Sequence, residues 1–265
     1  MDYAIKDWLH IAIRWTHVFA GIMWIGQTYF FTWLDHAFQR AEREGKGQIW
    51  MVHSGGFYIV DKQKKPVLLD QRLHWFKWEA AITWLSGIAL FTLVYYAGGI
   101  IAADSKLTTL QAVGLSIGLL VAGWIVYDLL WMSPIGRNEI LGVVISYALL
   151  VVTIYFLTRV YSGRAAYLQL GAMMGTMMTA NVWQRILPAQ RQLIGAVKEG
   201  REPDMRLADV ARQRSKQNTF MIVPVVFIMI SNHFPVTTFG NDYNWLILAG
   251  LVLAGWGVAK IVREH

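Results

Sequence analysis

The chain has 265 residues, 55% of them hydrophobic and only 15% charged, with a mean hydropathy of +0.38. A soluble domain of that balance would lack the polar surface to stay in solution, so a soluble globular protein is excluded. The formal charge is +7 and there is no cysteine, which excludes disulfides, thiolate metal sites and haem attached through Cys-x-x-Cys-His.

Seven apolar stretches approach the roughly 20 residues needed to cross a bilayer core. They span residues 8–34, 78–99, 110–132, 140–160, 165–185, 220–234 and 245–262. Backbone polar groups in lipid must be satisfied within their own segment, so each stretch is predicted to be a helix. The first is too long for a cleaved signal peptide and is interrupted by His10, Arg14 and His17, so it reads as a retained helix. The sixth is the shortest and contains Pro224. The expectation is one domain over 1–265: an all-α, polytopic transmembrane bundle of about seven helices with two long cytoplasmic loops.

The basic residues sort by side of the membrane rather than forming a nucleic-acid surface. The 36–77 loop carries Arg40, Arg43, Lys46, Lys62, Lys64, Lys65, Arg72 and Lys77, and residues 185–216 carry eight more. With Arg137, Lys260 and Arg263, nineteen lysines and arginines fall on one side against five on the other. The positive-inside rule then places the N-terminus in the periplasm and the C-terminus in the cytoplasm of a bacterial inner membrane. In the first loop, Gly55-Gly56 reads as a tight turn followed by a short extended or interfacial piece. In the second, from 188 to 218, Pro203-Asp204 reads as the start of a helix lying on the anionic membrane surface.

Ionisable groups within apolar stretches are costly and mark candidate sites. On the first helix His10, Arg14, His17, Gly21, Thr28 and Asp35 fall on one stripe. His17 is a candidate haem ligand, and His233, at the end of the sixth helix before Pro235, is its candidate partner for a haem b between two imidazoles. The alternatives stay open: Arg14 snorkelling at an interface, and His233 capping a helix end. Towards the cytoplasmic face collect His53, His74, Lys77, Glu79, Asp128, Arg137, Glu139, Asn181, Gln184 and Arg185. Acids, bases, amides and aromatics at one depth suit a pocket for a planar polar ligand; ordinary interfacial salt bridging is the blander alternative. Trp24, Trp84 and Trp124 lie deep enough to line a site. Met173, Met174, Met177 and Met178 fit either copper(I) coordination or adaptable packing.

Five runs carry a family resemblance: 14–26, opening Arg14-Trp15-Thr16-His17; 50–58; 74–87; Asn181-Val182-Trp183-Gln184-Arg185-Ile186; and Asn232-His233-Phe234-Pro235 with the three residues before it. In these the chain resembles the membrane domain of the bacterial cytochrome-c-linked urate hydroxylases, the PuuD family, over nearly its whole length. The resemblance implies oxidation of urate to 5-hydroxyisourate with electrons passed to a cytochrome c. Members of that family typically continue into a C-terminal cytochrome c domain. This sequence stops at His265 without one, so haem c is expected only on a separate partner. For urate, Asn181, Gln184, Arg185 and His53 are the expected binding residues, and His74, Glu79 and Asp128 the acid–base candidates. Other readings are a haem-binding membrane redox protein with another substrate, such as a porphyrinogen oxidase, or a copper or urate transporter.

Overall fold

The computed structural model describes residues 3–63 and 73–264; Lys64, Lys65 and Arg72 of the charge bias lie outside them. Helix α1 (Tyr3–Arg43) has 41 residues, about 60 Å at 1.5 Å per residue. That is twice the bilayer core of about 30 Å, so α1 continues well past its apolar stretch. Beyond it, β1 (Gln48–His53) pairs antiparallel with β2 (Gly56–Asp61), setting Trp50 opposite Ile59. Ser54 and Gly55 both take positive φ, the two-residue turn whose twist matches a hairpin. The expected turn is present one residue earlier than the Gly55-Gly56 pair, with Gly56 opening β2, and the all-α expectation is corrected by one small sheet. The strands are rich in Trp, Val, Phe, Tyr and Ile, which favour a pleated surface over a helix. Lys62 Nζ reaches Asp35 Oδ1 at 2.5 Å and ties the hairpin back to α1.

Helix α2 (Trp78–Phe91) is lengthened by a π turn at Thr92–Tyr96. There follow α3 (Thr109–Met132), the single turn α4 (Pro134–Arg137), α5 (Glu139–Val160) and α6 (Gly163–Ala180). A π segment, Asn181–Ile186, leads from α6 into α7 (Leu187–Lys198); α8 (Met205–Ser231) and α9 (Asn244–Glu264) complete the chain. The starts of α3, α5, α6 and α8 are capped by Thr108, Asn138, Ser162 and Asp204, each accepting from a first-turn backbone N–H.

The second loop is corrected more deeply. Most of 188–218 is helical, and the helix capped by Asp204 is no separate surface helix but the start of α8. Helices usually stop before a proline, yet the rod that begins as the fifth apolar stretch continues past Arg185. Here the π segment closes with Leu187 N–H donating to the Val182 carbonyl, and Pro188 falls in the first turn of α7, where its missing N–H leaves no bond unmade.

Consecutive rods run in alternate directions. At one end of the bundle Lys216 Nζ meets Glu139 Oε1 at 2.5 Å and Gln213 Nε2 donates to the Gly136 carbonyl at 3.2 Å. At the other, Arg164 Nε donates to Asn232 Oδ1 at 3.0 Å and the Tyr167 hydroxyl to the Asn244 carbonyl at 2.8 Å. Four of the rods, 78–96, 109–132, 139–160 and 244–264, are long and apolar enough to cross a membrane. Large apolar side chains stand out from their sides, Leu110 at 83% and Ile140 at 78% exposure among them, a surface that only lipid or protein can cover. The other three rods of the seven expected read differently. Helix α6 faces protein, its residues 165–171 all being buried, and α1 and α8 mix apolar residues with His, Gln, Thr and charged groups.

Around α6 the core closes on small and polar contacts, as helix packing in lipid favours. Gln169 is wholly buried and bonds Ser116 twice, accepting from its hydroxyl at 2.6 Å and donating to its carbonyl at 3.1 Å. At Gly171 a Cβ would stand 2.9 Å from Ile228 Cγ2, whereas at Gly175 it would meet nothing within 4 Å. The two glycines therefore predict opposite outcomes in one assay. Gly171→Ala should lower the thermal unfolding midpoint of the purified protein, at a cost of about 1–3 kcal/mol for overpacking. Gly175→Ala should leave the midpoint unchanged or raise it, by up to about 1 kcal/mol of helix propensity.

Candidate functional site

The π segment displays the Asn-Val-Trp-Gln-Arg run at the junction of α3, α6 and α8. A π turn carries one more residue than an α turn and is frequent at functional sites. From it Arg185 reaches α3, where its Nε donates to Asp128 Oδ1 at 2.9 Å and its Nη2 to Asp128 Oδ2. From the opposite side Arg214 of α8, 0% exposed, donates to the same Asp128 Oδ1 at 2.7 Å. The Arg214 guanidinium also lies 5.1 Å from the centre of the Tyr127 ring, a cation–π arrangement.

Amides complete the cluster. Asn181 Nδ2 donates to the Tyr127 hydroxyl and to Asn218 Oδ1, both at 2.9 Å. The Tyr127 hydroxyl donates in turn to Gln217 Oε1, and Asn218 Nδ2 to the Met178 carbonyl at 3.0 Å. Two guanidinium cations share a single carboxylate, which leaves one positive charge without a counter-ion among the described residues. Arg214 Nε and Nη1, Asn181 Oδ1 and Gln217 Nε2 are buried with no protein partner. A buried polar network is unfavourable until such atoms are satisfied. The surplus charge and the free donors and acceptor suit a planar anion with ring donors and acceptors. Solvent reaches the cluster on the side of Arg185, whose side chain is 33% exposed.

The structure thus brings Asp128, Asn181 and Arg185 together. Both oxygens of Asp128 are held by guanidinium donors, two on Oδ1 and one on Oδ2, a geometry that anchors two cations. Glu79, in the first turn of α2, has Oε2 buried without a protein partner. Its turn packs on the π segment through Ala80, Val182 and Leu187. Beside it Lys77 Nζ lies 5.2 Å from the Trp78 ring centre and 5.9 Å from that of Trp183. Gln184, His74 and His53 are exposed, and no hydrogen bond of the cluster reaches them. His74 packs against the Phe76 ring, and His53 Nδ1 lies 2.7 Å from Ser54 Oγ at the hairpin tip.

Arg214, Gln217 and Asn218 were not among the expected site residues. Arg214 belongs to a run that reads as a charged loop. Its signal was nevertheless present: positions 214, 217 and 218 share a helix face at i, i+3 and i+4.

Among the described residues no group of three histidine, aspartate or glutamate side chains could hold a metal ion. His17 lies between α1 and α2, its Nδ1–H donating to the Thr83 carbonyl at 2.8 Å with Ser86 Oγ at 3.3 Å. That bond leaves Nε2 as the nitrogen with a free lone pair. The ring lies flat on Gly87, where a Cβ would come within 2.9 Å of His17 Cε1. His233 is exposed in the turn after α8 and makes no side-chain hydrogen bond among the described residues. The four methionines of α6 sit around the core, with the Met173 and Met177 methyls against Gly123. Of the deeper tryptophans, Trp84 Nε1 donates to Thr176 Oγ1 at 3.0 Å, Trp24 packs against Ala80 and Val182, and Trp124 lies beside Tyr127.

The family model described as Urate oxidase N-terminal matches residues 3–264. The chain belongs to the urate oxidase N-terminal family. No curated protein and no solved structure matches it. Family membership points to a urate-related function.

The ion triad should dominate the stability of this end of the bundle. Asp128→Ala leaves Arg214 buried without a counter-charge and should cost about 3–5 kcal/mol. Arg185→Ala should cost less, because its side chain is partly solvated. The apolar pair Asp128→Leu with Arg214→Met should recover much of the loss. Unfolding midpoints of the four purified proteins check this order.

Proposed function

We propose that this chain is a membrane-embedded oxidoreductase of the bacterial inner membrane that oxidises urate to 5-hydroxyisourate. The observation that carries the reading is the Arg185–Asp128–Arg214 triad, with its one uncompensated positive charge and free amide groups, in a chain of a urate oxidase family. Urate would bind against the exposed edge of Arg185, with Asn181 beside it and the Trp183 ring nearby. Addition of water at C5 with loss of two electrons and two protons gives 5-hydroxyisourate. Glu79, with one carboxylate oxygen free, is the residue placed to take a proton, and Asp128 holds the arginines that position the anion.

All seven rods cross the bilayer in this reading, with the triad towards the cytoplasm and the Arg164–Asn232 end towards the periplasm. His17, through Nε2, and His233 would hold a haem b, which would supply one-electron chemistry. Electrons leave to a cytochrome c. The alternating rods and the basic bias of the triad end support this orientation.

Reporter fusions at Gly45 and Gly200 should report the cytoplasm and one at Asp104 the periplasm; a periplasmic report at Gly200 would reverse the orientation. With purified protein, urate should be consumed only with added cytochrome c or an artificial acceptor. Turnover on oxygen alone with stoichiometric peroxide would contradict the acceptor. Arg185→Ala and Glu79→Gln should each lower turnover by about 100-fold or more without altering the reduced visible spectrum. His17→Ala should remove or shift the haem band. Near-wild-type turnover in both site variants would move the substrate elsewhere.

A further inference from the structure

A cavity of about 1180 Å³ opens between α3, α5, α6, α8 and α9. It exceeds the roughly 300–1,000 Å³ of small-molecule pockets, and its body is apolar, lined by Leu119, Val126, Leu150, Met173, Leu253 and Trp256 among others. Two polar groups of the body are already engaged: Ser146 Oγ accepts from Trp131 Nε1 at 3.2 Å, and Thr153 Oγ1 donates to the Leu149 carbonyl at 2.8 Å. Among the described residues, only Trp256 Nε1 and, beside the triad, Gln217 Nε2 are lining donors buried without a protein partner. Such walls favour hydrocarbon over water or a purine.

One end of the cavity has a different character. Arg137, Arg212, Lys216 and Lys260 stand there with Glu139 and Asp209, four cations against two anions. Lys216 pairs with Glu139 at 2.5 Å and Arg212 with Asp209 at 3.0 Å. Arg137 makes no ion pair among the described residues, and Lys260 reaches only Glu264, outside the cavity, at 3.9 Å. The rim therefore carries two cations beyond its internal pairs, directly above an apolar chamber.

We infer that this cavity binds an anionic diacyl phospholipid, its phosphate between Arg137 and Lys260 and its acyl chains along the apolar body. The inference rests on the membrane reading above. Basic pockets between membrane helices at the cytoplasmic side take anionic head groups through this combination of charge and depth. The charge decides against a quinone, whose neutral ring has no use for two surplus cations. The bound lipid would also lie against Tyr127 and Gln217, which line the cavity and bond each other at the edge of the triad. It would thereby brace the wall shared with the proposed urate site.

Native mass spectrometry of the full chain, extracted from membranes in mild detergent, tests the assignment. The probes are phosphatidylglycerol, phosphatidylcholine with the same acyl chains, and a ubiquinone. Phosphatidylglycerol should bind at least about tenfold more tightly than phosphatidylcholine, as two phosphate-facing cations imply. Arg137→Ala with Lys260→Ala should erase that preference, and Ala122→Trp, which fills the cavity, should weaken binding of both phospholipids. Equal binding of the two phospholipids by the wild-type protein overturns the proposal without reference to any variant. So does tighter binding of the ubiquinone, or an anionic preference that survives in a monodisperse double variant. Failure of the membrane reading has a separate signature: recovery of the chain in the soluble fraction before any lipid is added.

Discussion

A carboxylate shared by two arginines fixes one end of this bundle. Asp128 comes from α3, Arg185 from the π segment after α6 and Arg214 from α8, so one side chain ties three rods together. Burying three charges is costly, and their mutual attraction offsets that cost only with good geometry and satisfied donors. Both carboxylate oxygens are engaged, but Arg214 keeps two nitrogens without a protein partner. A triad built for stability alone would be neutral or fully bonded. Its surplus charge and its unbonded nitrogens suit it to an anion.

The π segment follows from the same constraint. Arg185 and Asn181 must both project towards α3 and α8 while the rod continues into α7. The wider turn places both and also accommodates Pro188 in the next turn. Part-way along α2, His17 is held as firmly, its Nδ1–H by the Thr83 carbonyl and its ring against Gly87. The arginine–carboxylate triad and the fixed imidazole thus occupy different parts of one helical frame.

Much of this was legible in the sequence. Apolar length located the rods, and Pro203-Asp204 located one helix start. The pair Asn181 and Arg185 pointed to one face because helical spacing is local information. What was not legible depends on tertiary placement. Arg214 looks like one charge in a hydrophilic loop until α8 is known to begin at Met205 and to pack against α3 and α6. Pro188 reads as a stop until the π segment precedes it. The hairpin was visible only as a turn with an extended tail, since strand pairing is non-local. His53, His74 and Gln184 shared a depth with the cluster along the chain but not a face, a distinction that hydropathy does not carry.

The central claim is that Arg185 and its buried companions bind urate as an anion. Equilibrium dialysis of urate against the purified wild-type protein and Arg185→Ala at neutral pH tests it most directly. Saturable binding by the wild type, weakened by about tenfold or more in a monodisperse Arg185→Ala protein, is the expected result for loss of a charge-assisted contact. Equal affinity in the two proteins would contradict the account and place the urate site away from the triad.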